Sequence, residues 1–376
     1  MDNKMNEDIS KKFKLSNYGF DVLQIESTAA CNMACSFCPY PLKDDKISKL
    51  ELNDIFNVLD SIDFNDKNFK YVTFSQFNEP LLDKRIFEIL KYCNQKKIPV
   101  LFITNGLLLN KEKNVENLIK YATNIKISLQ VLDANKHKDA RGLNLELEKY
   151  VKSIIEFCKK VKDMNHIKIN IDLGCNFNEK KFNYYLKKIL GIQVGDPSVP
   201  KDLKSSTLMF SKFLNYFYDI SDTKYQDSLN QLRDPKKFFS RNYLNQDGYK
   251  IFENITLKLK PFFYGRRISE FHAINDNFSC NSSILGILAD GNVVPCCLAY
   301  DESISMGKVN KSSLKQILTD GSYFLDNLRT KKANKHETCK KCFGEPTKRG
   351  AIARNIWNAL PPRIQKTFNF LRLTEY

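Results

Sequence analysis

The chain has 376 residues, 42% of them hydrophobic, enough to bury one large core or a core with a satellite domain, so collagen-like, coiled-coil and wholly disordered architectures are excluded. With 59 Lys and Arg against 43 Asp and Glu, the formal net charge is +16, a field that attracts polyanions or acidic proteins. Residues 1–20 carry four lysines and three acidic residues with no long apolar stretch, which excludes a secretory signal, and no uncharged window of about 18 apolar residues exists to span a membrane. A cytoplasmic protein with reduced thiols is the expectation.

From Asp21 to about Leu190, short β-rich runs alternate with amphipathic helical stretches, the pattern of βα units around a parallel sheet. The runs Asp21 to Ile25, Lys70 to Gln76, Ile98 to Ile103, Ile125 to Val131 and His166 to Leu173 predict strands. Helical spacing links Leu52, Ile55, Phe56, Leu59 and Ile62, then Val115, Leu118, Ile119 and Ala122, then Val151, Ile154, Ile155, Cys158 and Val161. Cys93 shares a stripe with Ile86 and Leu90, so Cys93 and Cys158 read as core thiols. An irregular aromatic and Lys-rich insertion at 191–250 precedes a sixth strand, Asn254 to Leu259. Past Phe271 comes a cysteine-bearing module with a hairpin at Asp290-Gly291, flanked by Ile284 to Ala289 and Asn292 to Tyr300. The predicted division is a lead at 1–20, a barrel at 21–262, the cysteine module at 263–345 and a basic tail at 346–376. In the tail, Ala351 to Leu360 reads as helix until Pro361 and Pro362 stop it.

Six of the eleven cysteines stand within three residues of another, and a chain of this length needs no disulfide framework, so they read first as metal ligands. Cys31, Cys35 and Cys38 form C-x3-C-x2-C directly after the first strand. Three thiolates can cap three irons of a four-iron cube and leave the fourth iron open for chemistry. A zinc ion would need a fourth ligand, and none of the four histidines, His137, His166, His272 and His336, is near in sequence.

The segment Cys31-Asn-Met-Ala-Cys35-Ser-Phe37-Cys38 after the first strand of a βα series resembles the radical S-adenosylmethionine (SAM) superfamily. The resemblance implies a partial (β/α)6 TIM-like barrel and a [4Fe-4S] cluster whose open iron binds SAM by its amino and carboxylate groups. One electron then cleaves the cofactor to a 5'-deoxyadenosyl radical that abstracts hydrogen from substrate. It also implies a cofactor pocket at the strand ends, containing Phe37. Asn78-Glu79-Pro80 resembles the family's Gly-Glu-Pro segment, which holds the amino group, with Asn78 in the glycine's place and expected to tolerate a positive φ. Thr104-Asn105-Gly106 resembles the ribose-side turn, Ser128 and Gln130 stand where polar groups face the cofactor, and Arg141-Gly142 resembles a pair whose arginine meets the carboxylate. Singly, these residues read as a turn, a helix first-turn acid and a solvated charge; their joint placement after successive strands is what points to a site. Cys175, after the fifth strand, could return a hydrogen atom to a substrate radical or be a buried structural thiol.

Cys280, Cys296, Cys297, Cys339 and Cys342 supply enough thiolates for a complete four-ligand site, which a zinc ribbon would satisfy equally well. After such a barrel, Cys280, Gly291, Cys296, Gly307-Lys308-Val309 and Cys339-x2-Cys342 resemble the SPASM or twitch module of radical SAM enzymes. No cysteine follows Cys342, so the resemblance implies one auxiliary cluster and two [4Fe-4S] clusters in all. Side chains alternate along a strand, so only one of Cys296 and Cys297 is expected to reach the metal. The spacing Gly291-x4-Cys296 matches that of the family, so the resemblance implies Cys280, Cys296, Cys339 and Cys342 as ligands and leaves Cys297 to pack.

The implied activity is hydrogen abstraction at an unactivated carbon of a peptide or protein, or of a sugar or cyclitol, by a maturase-type oxidoreductase. The rival reading is a non-catalytic zinc or iron-sulfur scaffold that binds an acidic partner. The basic surplus suits an acidic flavodoxin or ferredoxin as electron donor; with lysines scattered and no basic helix or aromatic ladder, it argues against a nucleic-acid partner.

Overall fold

Aliphatic residues at every second position build the central strands. A computed structural model describes residues 12–175, 203–218, 223–232, 248–261, 270–330, 336–345 and 347–361. In β4 (Asn124–Gln130) the buried aliphatic residues are Ile125, Ile127 and Leu129, and in β5 (Lys168–Cys175) they are Ile169, Ile171 and Leu173. These face the helices, while Lys126, Ser128, Asn170 and Asp172 alternate onto the opposite, inner face.

β1 (Val22–Ile25), β2 (Tyr71–Thr73), β3 (Leu101–Thr104), β4, β5 and β7 (Ile255–Pro261) run parallel in that order, with β2 and β3 joined by a single Val72–Val100 bridge. Helices α1 (Leu52–Ser61), α2 (Ile86–Gln95), α3 (Glu112–Tyr121) and α5 (Leu147–Val161) return the chain between strands, and α4 (Ala134–Arg141) precedes α5. This is a six-stranded partial βα barrel. Cys93 and Cys158 lie fully buried in its core.

The structure corrects several boundaries. Lys70 to Gln76 yields only Tyr71–Thr73, because the chain turns at once into a loop closed by its own side chains. Within the segment read as irregular, α6 (Leu203–Leu214), α7 (Thr223–Leu232) and β6 (Tyr249–Phe252) form, β6 pairing antiparallel with β7; much of 191–250 lies outside the described residues.

The cysteine module is continuous with the barrel. β8 (Ile284–Ile287) pairs parallel with β1 in the register Val22↔Ile284 to Ile25↔Ile287, and β9 (Asn292–Val294) and β10 (Gly307–Lys308) extend the sheet outward. Gly291 takes φ +89° at the hairpin turn, as its position predicts. Helices α8 (Leu314–Asp320), α9 (Ser322–Arg329), α10 (Glu337–Cys342) and α11 (Lys348–Ala359) complete the module. A buried Arg354–Glu345 ion pair (2.6 Å) fastens α11 to it. Among the described residues no helix is long and apolar enough to cross a membrane.

Between β6 and β7, Asn254 donates from Nδ2 to the carbonyls of Val161 (2.7 Å), Met164 (3.1 Å) and Ile167 (3.1 Å), holding the α5–β5 connection to the far strand. Asn254→Ala strands these acceptors and is expected to lower the unfolding free energy by about 1–3 kcal/mol in a urea titration, with no loss of iron binding.

Candidate active site

The loop after β1 is held in place by hydrogen bonds to three other segments, the end of α4 and the loops after β2 and β3. Ala34 N donates to the Arg141 carbonyl (3.0 Å) and Ser36 N to the Ala140 carbonyl (2.8 Å), so the last carbonyls of α4 are satisfied by the cysteine loop. Glu79 N donates to the Ala30 carbonyl (3.0 Å), and Asn105 Nδ2 donates to Asn32 Oδ1 (2.7 Å). Gly142 ends α4 at φ +65°, where a Cβ would stand 2.5 Å from the Ala34 carbonyl oxygen, so both the backbone conformation and the close approach require glycine.

Cys31, Cys35 and Cys38 sit together on this loop, close enough that their charges act on one another. Burial pushes the Cys31 thiol up to about 12 and raises Cys35 and Cys38, so the metal-free loop carries protonated thiols that iron would convert to thiolates. Among the described residues no three His, Cys, Asp or Glu side chains converge on one point to hold a single ion. A cube takes one thiolate at each of three separate irons.

Glu79 is almost fully buried. Its carboxylate accepts from Thr104 Oγ1 (2.8 Å), Asn105 N (2.7 Å) and Leu81 N (3.2 Å). Burial raises its pKa against the pull of these donors. Asn78 does not take the positive φ expected of it. Its side chain closes the preceding loop instead, Nδ2 donating to the Phe74 carbonyl (3.0 Å) and Oδ1 accepting from Gln76 N (3.0 Å). Gln130, by contrast, is left-handed, at φ +73°, where β4 bulges between Ser128 and Gln130. Ser128 Oγ accepts from Gln130 Nε2 (2.7 Å) and Arg141 Nη1 (3.4 Å).

Arg141 is buried rather than solvated, with its guanidinium 5.9 Å from the Phe37 ring centroid. Among the described residues its Nε and Nη2 are buried without a hydrogen-bond partner. Burial opposes its charge, but Cys35, Tyr150, Cys31 and Glu79 outweigh it and hold the pKa above the usual value. A buried cation with two unpaired donors beside three thiols fits a cofactor that presents a carboxylate, and the thiols fit an iron-sulfur cube.

Tyr150, on the first turn of α5, escaped the sequence reading: its hydroxyl donates to the Asn105 carbonyl, and Arg141 lies beside it. It stood on a helix stripe like any core aromatic. His137 packs edge-on against Tyr150, ring centroids 5.5 Å apart, buried and, among the described residues, with both ring nitrogens unpartnered.

In the second cluster, β9 ends at Val294, so Cys296 and Cys297 lie in the following turn and strand alternation does not choose between them. Cys296 packs beside an apolar group formed by Phe77, Leu288, Val294, Ala299 and Ile304. Cys297 lies within electrostatic reach of Cys280 and Cys342, and Cys342 within reach of Cys339. Cys175 ends β5, and its side chain lies outside the described residues.

A parallel barrel whose strand ends carry this three-thiol loop defines an enzyme class, and comparison with known proteins agrees. The model of the Radical SAM superfamily matches residues 25–189, and the chain belongs to that superfamily. A second model, the SPASM iron-sulfur cluster-binding domain, matches residues 280–343; the two together cover more than half of the chain, a radical SAM enzyme with a C-terminal SPASM domain. Among solved structures, native anSMEcpe with bound SAM is 18% identical, covering 93% of this chain and 99% of that one at a TM-score of 0.46. SuiB of Streptococcus suis bound to SAM is 15% identical, covering 81% and 67% at 0.46. BtrN in complex with SAM and 2-DOIA is 13% identical, covering 85% and 92% at 0.42. A curated relative, GTPase Obg of Brachyspira hyodysenteriae (strain ATCC 49526 / WA1), is 25% identical over 179 residues; the match takes in 46% of this chain, which spans about a quarter of that relative's length.

Burial and the neighbouring Arg141 lower the pKa of His137 to about 4. The unfolded chain, at about 6.5, therefore binds a proton that the folded chain refuses, and stability falls as pH drops from about 6.5 toward 4. His137→Phe should flatten that part of the stability profile in urea melts across pH.

Proposed function

We propose that the chain cleaves SAM reductively and abstracts hydrogen from an unactivated carbon of a peptide or protein, or of a sugar or cyclitol, with one auxiliary [4Fe-4S] cluster. The observation that carries this is Arg141, a buried guanidinium with two unpaired donors beside Cys31, Cys35 and Cys38. The cube that the three thiolates would hold supplies the electron for cofactor cleavage. Arg141 would receive the cofactor's carboxylate, and Phe37, under the guanidinium, keeps water from it. Glu79, with three acceptances already made, holds the loop after β2 against the turn Thr104-Asn105 and leaves the main chain around Asn78 to meet the amino group. Ser128 and Gln130 orient Arg141, and Tyr150 fixes the Asn105 carbonyl on the ribose side.

The inner face of the barrel supports a hydrophilic substrate. Gln24, Thr73, Lys126, Asn170, Asp172, Thr256 and Lys258 share it, where a closed barrel would carry aliphatic layers. Hydroxyls of a sugar and amides of a peptide both suit such a wall. The net charge of +16 supports an acidic flavodoxin or ferredoxin as electron donor.

Anaerobically reconstituted protein should hold about eight irons. Replacing Cys31, Cys35 and Cys38 together by Ala should leave about four and abolish dithionite-driven release of 5'-deoxyadenosine; zinc in place of iron at both sites would sink the proposal. For the auxiliary site we assign Cys280, Cys296, Cys339 and Cys342 from the Gly291 spacing, with Cys297 as the competing ligand. Iron should fall in Cys296→Ala and persist in Cys297→Ala, and the opposite result exchanges the two.

A further inference from the structure

Glu26 follows β1 directly and is completely buried. Its carboxylate faces a lysine from the far side of the cysteine loop, Lys43 Nζ lying 2.6 Å from Oε2 with 5% of its side chain exposed. Two amides complete the site: Phe77 N donates to Oε1 (3.0 Å) and Ala289 N to Oε2 (3.3 Å). Burial raises the pKa of Glu26, while Lys43 and the two amides, all donors to its oxygens, pull toward the ionised carboxylate. The pair joins three segments, namely the residues following Cys38, the loop that leads to Glu79, and the β8–β9 hairpin of the SPASM domain. Lys43 Nζ also stands 5.9 Å from the centroid of Phe77, and Cys38 packs against the apolar group to which Phe77 belongs. Among the described residues Glu26 is one of the charges that Cys38 feels directly.

A buried charge near a cluster acts in a low dielectric, so it is felt far more strongly than a surface charge. Reduction adds an electron, which a neighbouring cation favours and a neighbouring anion opposes. We infer that Glu26 is a charge-balancing and positioning residue: it neutralises Lys43 behind Cys38, anchors the cysteine loop to the cofactor loop and the SPASM hairpin, and thereby sets the reduction potential of the centre bound by Cys31, Cys35 and Cys38. The inference rests on the proposed cluster at those three cysteines.

The test is an electron paramagnetic resonance redox titration of the reconstituted enzyme, following the signal that changes when SAM is added. Glu26→Gln keeps the shape and removes the negative charge, so the midpoint should move to higher potential. The double variant Glu26→Gln with Lys43→Met removes both charges and should bring it back toward wild type. Lys43→Arg keeps the charge and alters the shape, and should leave it in place. If Glu26→Gln fails to fold, Lys43→Met alone still decides, since it removes the positive charge and should move the midpoint to lower potential, and an unmoved midpoint there overturns the inference. A midpoint unmoved in Glu26→Gln, or moved equally in it and the double variant, reduces the pair to a brace and overturns the inference. Wild-type protein with no SAM-sensitive cluster signal refutes the cluster reading itself, and this inference with it.

Discussion

One buried carboxylate organises the strand ends. Glu79 has no water to solvate it, so its charge is tolerable only if protein donors surround it, and those donors come from Thr104, Asn105 and Leu81. Its own amide reaches Ala30, immediately before the first cysteine. Loops after three successive strands are thereby fixed by the solvation demand of a single side chain. Binding elements held this way lose little conformational freedom when a ligand arrives.

The same economy governs the opposite wall. Helix α4 ends with carbonyls that need donors, and the cysteine loop offers amides that need acceptors, so each satisfies the other at Ala34 and Ser36. Gly142 permits the approach, and Arg141, carried on the same turn, is delivered under the thiols. The left-handed Gln130 and the bulge beside it bring Ser128 within reach of the guanidinium, which places backbone strain at the site it serves.

The SPASM hairpin does not hang from the barrel but continues its sheet through β8 and β1. Gln76 Nε2 donates to the carbonyls of Cys296 (3.4 Å) and Ala299 (3.2 Å), and its amide packs where Gly286 leaves no side chain. The loop that leads to Glu79 therefore touches both cysteine regions, so the geometry of one is tied to the geometry of the other.

By itself the sequence determined the period of the strands and helices, the parallel order of the first five strands and the grouping of the cysteines into two sets. These follow from local patterning, because alternating Ile and Leu in β4 and β5 and the C-x3-C-x2-C spacing act within a few residues. Only the tertiary structure decided that Arg141 is buried, that Asn78 closes a loop rather than taking a left-handed φ, that Cys296 and Cys297 lie beyond β9, that Tyr150 meets the Asn105 carbonyl and that Glu26 is buried against Lys43. Three of these depend on a partner far away in the chain: Tyr150 on Asn105, Glu26 on Phe77 and Ala289, Arg141 on the thiols of the first loop. The pattern of a single segment records which face it buries but not which distant donor or charge will meet it there, since that is settled when the strands assemble and water is excluded between them.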